Sequence, residues 1–153
     1  MSASQELPAP IAKLDRFLAS IGGQLQLIHF SSPMNQVLVA TSSAGSVRVV
    51  ADRGQWFVEL AAPAMDEYFD SAVWTACVRE VPVRLDIATL DEQVETLEAF
   101  LADGSTRTIS ISELEEARDQ RSSGRQALLI DEIKAKKARR PVREAGKYPG
   151  SAT

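Results

Sequence analysis

Ile11, Leu14, Leu18 and Ile21 recur at helical spacing, Phe17 stands beside them, and Gly22-Gly23 stops the pattern. That spacing predicts an amphipathic helix from about 10 to 21. The period then changes. QLQLIHF (24–30), QVLVAT (36–41), SVRVVAD (46–52) and QWFVEL (55–60) are β-type runs joined by SSPMN, SSAG and RG. Connections this short suit an antiparallel meander. A two-residue loop at Arg53-Gly54 fixes one register. It sets Ala51 opposite Trp56, Val49 opposite Val58 and Val47 opposite Leu60 on one face, with Val50–Phe57 and Arg48–Glu59 on the other. QVLVAT is apolar on both faces and reads as a central strand covered on both sides.

AAPAMDEYFD (61–70) lacks a period and reads as a loop. Asp70 is placed to cap a short helix with Val73, Trp74, Cys77 and Val78 on its inner side. VPVRLDI (81–87) alternates like a strand, and its Pro82 makes it an edge strand or a strand start. Thr89 with Glu92 forms a capping box before Val94, Leu97 and Leu101, and Ser112 with Glu115 forms a second. The helical period fails near Ser122-Ser123-Gly124 and resumes in ALLIDEI; the tail is expected to be helical at first and disordered beyond Pro141. The order predicts an α+β fold: a meander of four to five strands with an N-terminal helix and C-terminal helices packed on it.

Charge divides this pattern in two. Residues 134–153 hold seven Lys/Arg and one Glu, a balance of +6; the net charge of −4 leaves −10 on residues 1–133. We read 1–133 as one acidic domain and 134–153 as a basic, flexible tail. An acidic body repels nucleic acid and steers basic partners toward itself. AKKARRPVR has two readings, a phosphate- or acid-binding segment and a solvated terminus. Without flanking aromatics for stacking, direct nucleic-acid binding is not expected. No apolar run reaches the length of a membrane span, no leader pattern opens the chain, and one cysteine forms no internal disulfide; the expectation is a cytoplasmic protein without membrane contact.

The sequence carries no phosphate-binding glycine loop, dinucleotide fingerprint or nucleophile elbow, and one His with one Cys makes no zinc set. His29 and Cys77 would form the obvious base and nucleophile, but Cys77 falls on an apolar helix face, where thiols act as small hydrophobes. The expectation is a protein without cofactor or catalysis. Residues 52–78 hold both tryptophans, and Trp56 and Trp74 read as core. Phe57 points away from Trp56, toward a covering C-terminal helix. Tyr68 and Phe69, set among Asp66, Glu67 and Asp70, have two readings. They form an exposed hot spot for a basic cleft, or they fold back as a lid on the sheet.

DRGQWFVEL, the loop, FDSAVWTACV and the capped helix TLDEQVETLEAFL together resemble small cytoplasmic immunity proteins of bacterial polymorphic toxin systems. The resemblance spans about residues 46–101. It implies a non-catalytic α+β domain that neutralises a cognate toxin by direct binding. The alternative expectation is an acidic secretion chaperone or adaptor that holds an effector segment as a homodimer.

Overall fold

The computed structural model describes residues 7–139. Its contacts divide the chain into Met1–Arg121 and Ser122–Thr153. The first unit is an α+β fold, as the pattern predicts. Helix α1 (Ala9–Ser20) starts behind Pro8 and buries Ile11, Leu14 and Leu18. Strands β1 (Gln26–Ser32), β2 (Asn35–Ser42), β3 (Gly45–Asp52), β4 (Gln55–Ala61) and β5 (Phe69–Asp70) form one antiparallel sheet in sequence order. Helices α2 (Ser71–Arg79), α3 (Leu90–Asp103) and α4 (Ile111–Arg139) follow.

The β3–β4 register has all five predicted pairs. Its cause is the turn: Arg53 and Gly54 both have positive φ, 55° and 82°, as a hairpin turn matched to strand twist requires. At the preceding hairpin only glycine fits, because a Cβ on Gly45 would lie 2.6 Å from the Ala61 carbonyl oxygen. One sheet face carries Leu38, Ala40, Val47, Val49, Val58 and Leu60. They form a single core with Ile11, Leu14 and Leu18 of α1, Val73 and Trp74 of α2, Val94, Leu97 and Phe100 of α3, and Leu114 of α4. Trp74 is fully buried, whereas Trp56 is half-buried at the core margin.

Four expectations are corrected. β2 is not covered on both sides: Leu38 and Ala40 are buried, while Val37 and Val39 are only half-buried. Residues 81–87 form no strand, and Val81 and Ile87 are exposed. The neighbouring sheet edge has no ladder for them, since β5 has two residues and the Val58 amide donates to Gln93 Oε1 at 2.9 Å. The same Gln93 donates from Nε2 to the Ala88 carbonyl, so α3 completes hydrogen bonding that a strand would otherwise supply. The second capping pair is Ser110 with Glu113, not Ser112 with Glu115. Finally, α4 runs unbroken through Ser122-Ser123-Gly124. The expected boundary at 133/134 falls inside this helix, and the tail beyond 139 lies outside the described residues.

Both caps make a pH prediction. Glu92 accepts from the Thr89 amide and Glu113 from the Ser110 amide, each at 2.9 Å. These backbone bonds, with help from the cap hydroxyls, hold both carboxyls below their ordinary 4.5. A depressed carboxylate stabilises the fold above its unfolded pKa and loses that contribution as pH falls through the folded value. The thermal midpoint should therefore fall with acidification below 4.5. Glu92→Gln with Glu113→Gln should flatten that acid limb, measured by circular dichroism melts across pH.

Candidate binding surface

The segment after β4 turns at Pro63 and Ala64, where Ala64 has φ 66°, and returns as β5. β5 pairs Phe69 with Leu60 and Asp70 with Glu59. The pairing with Leu60 directs Phe69 inward, and the ring is 2% exposed. The exposed hot spot is thus corrected for Phe69, which is a core residue. Asp70 accepts from the Val73 amide at 3.0 Å, capping α2, and its other oxygen receives Arg121. Glu67 meets Arg118 at 2.9 Å, and that hydrogen bond, ahead of the ordinary charge attraction, lowers the Glu67 pKa. Arg118 also lies over the Phe69 ring at 5.0 Å. Tyr68 is half-buried beneath Arg48, 4.6 Å from the ring centre, and Asp66 is exposed.

One sequence signal does mark Phe69 as buried. With Asp70 as N-cap, Phe69 occupies the position before the cap and Trp74 the fourth helical position. Apolar residues at those two places pack together as a hydrophobic staple. Both are buried here.

The sheet face opposite the core holds the remaining site features. Val37, Val50 and Phe57 lie in one row across β2, β3 and β4, and Val39, Arg48, Glu59 and Asp70 form the next row. Val37, Val39, Val50 and Phe57 are all half-buried, and none belongs to the core. Phe57 is half-buried and lies outside the core cluster. Arg48 Nε donates to Glu59 Oε1 at 2.8 Å while its guanidinium covers Tyr68. An apolar strip thus borders a charged pair and a phenol, whereas the Glu67 carboxylate is taken up by Arg118. An aromatic centre with a polar rim is the anatomy of a protein-binding surface.

The structure does not unite His29 with Cys77. His29 pairs with Val37 on β1, on the outer face, while Cys77 packs on the core side in α2. The Cys77 Sγ donates to the Glu113 carbonyl at 3.4 Å, and burial, followed by the Glu113 and Glu116 carboxylates, raises its pKa. A raised thiol is a weak nucleophile at neutral pH. Among the described residues no group of His, Cys, Asp and Glu is arranged to hold a metal. A cleft of 370 Å³ opens beside α2 and α3, where Arg79 and Arg84 face Glu92 and Glu95. Its charges are of both signs, and Arg84 is bonded to Asp86. No helix among the described residues is long and apolar enough to cross a membrane.

The fold and this surface define an α+β domain with one sheet face committed to its core and the other lined by half-buried side chains outside it. Comparison with protein-family models, curated proteins and solved structures found no match to this chain.

Proposed function

We propose that this protein is an immunity-type inhibitor that neutralises a cognate toxin domain by direct binding through the outer face of its sheet. The row Val37–Val50–Phe57 carries this reading: three apolar side chains in register on the face that the core does not use. Phe57 and Tyr68 supply the aromatic anchors, with the Arg48–Glu59 pair beside them. The charge of −10 on residues 1–133 favours a basic partner and raises its rate of encounter.

The test is capture of the natural partner followed by titration calorimetry. Phe57→Ala with Tyr68→Ala should weaken binding by at least about 2 kcal/mol, the scale of a hot spot. The melting curve should stay near that of the parent, since neither ring is in the core. Unchanged affinity in the double variant would remove the outer face from the proposal. A second reading, an adaptor acting as a homodimer, is favoured by the exposed apolar strand β1. An extended effector segment as the captured partner, in place of a folded toxin domain, would select it.

A further inference from the structure

The two edges of the sheet are built differently. At one edge β5 has only two residues, and shortness is a common protection against unwanted strand pairing. At the other edge β1 runs for seven residues, and six of them are exposed. Leu27, Ile28 (64% exposed), Phe30 and the adjoining Met34 present large apolar side chains to solvent. The register skips a residue between Leu27 and His29, so Ile28 is an extra residue on β1. This bulge brings Leu27, opposite Leu38, and Phe30, opposite Gln36, onto the same face although they are three apart in sequence. That is the core face, yet neither side chain joins the core.

Charge identifies the occupant. From Phe17 to Val47 the sequence contains no Asp, Glu, Lys or Arg, in a chain that is 25% charged. Neither Lys nor Pro lies in β1, and its two bulges are the edge defences it does carry. A basic partner would gain nothing from this neutral strip. A second copy gains most, because here two acidic bodies can meet without placing like charges across the contact.

We infer that the chain forms a homodimer in which β1 of one copy lies antiparallel to β1 of the other about a twofold axis. Leu27, Ile28, Phe30 and Met34 of each copy are covered in that contact. The arrangement is isologous, each copy offering the same patch. It uses the edge and not the outer face, so it is compatible with the toxin-binding proposal as well as with the adaptor reading, and the captured partner, not the dimer, separates those two.

The experiment is light scattering coupled to size exclusion on the full chain, across roughly 1 µM to 1 mM, a range that captures weak homodimers. A chain of 16.6 kDa should approach twice that mass, 33.2 kDa, as concentration rises. Added salt should preserve or strengthen the dimer by screening body–body repulsion. Ile28→Lys and, separately, Met34→Glu should shift the midpoint of association upward at least tenfold, with circular dichroism unchanged. A monomer throughout the range overturns the inference. So does a dimer that dissolves in salt, which would arise from basic tails on acidic bodies, or one that both variants leave intact. Each outcome is read without the natural partner, so it is separable from failure of the toxin-binding proposal.

Discussion

Trp74→Ala should cost the fold about 3–5 kcal/mol, the range for deleting a buried aromatic side chain. The residue is fully buried within the core that α2 shares with the sheet. Its Nε1 also donates to the Leu60 carbonyl at 2.8 Å, a buried bond across 14 positions of sequence. Removal therefore opens a cavity and leaves a carbonyl of β4 without that donor, which adds to the cost. Domains of this kind have total stabilities of about 5–15 kcal/mol, so the variant should be close to unfolding. Urea denaturation followed by circular dichroism measures the loss. Trp74→Phe separates the two contributions: it keeps most of the volume and should cost about 1–3 kcal/mol for the unsatisfied carbonyl. An alanine variant within about 1 kcal/mol of the parent would contradict the burial of Trp74.

Phe69→Ala should be nearly as damaging, at about 3–5 kcal/mol. The ring is 2% exposed, seated opposite Leu60 and beneath Arg118. Losing it also loosens Asp70, the next residue, which caps α2 and holds Arg121. Its neighbour Tyr68 sits on the other side of the sheet against Arg48, and Tyr68→Ala should cost no more than about 1 kcal/mol, the value of an exposed cation–π contact. Denaturation of the two single variants decides between their roles. A large loss for both would make Tyr68 structural as well, and a small loss for both would restore the pair to the surface.

The contrast between these rings shows where the sequence is legible. The β3–β4 hairpin can be read outright, because a two-residue turn and strict alternation over several residues leave one register that buries the valines. The capping box at Thr89 and the cap at Asp70 are equally readable, being local hydrogen bonds between neighbours in sequence. Phe69 escapes a periodicity argument because β5 is two residues long and has no period; the staple with Trp74 marks it instead. Residues 81–87 alternate like a strand, but a strand needs a free ladder beside it. That vacancy is closed by Gln93, a residue of α3 that no local pattern connects to Val58. The outer face is visible in part, since the Val50–Phe57 and Arg48–Glu59 pairs follow from the hairpin register. That Phe57 lies outside the core cluster is a fact of tertiary packing. The charge-free stretch from 17 to 47 is plain in the sequence, but it runs from α1 through β1 and β2 into β3, so only the sheet order shows that β1 is the edge.

Gln93 has a consequence for assembly. By occupying the Val58 amide it seals the far margin of the sheet against recruitment of another chain, and the brevity of β5 reinforces the seal. A molecule with two adhesive margins would propagate into fibres, joining copy to copy without end. With a single such margin, growth terminates as soon as two copies have met, so hydrophobic residues at β1 are tolerated without a filament as the outcome.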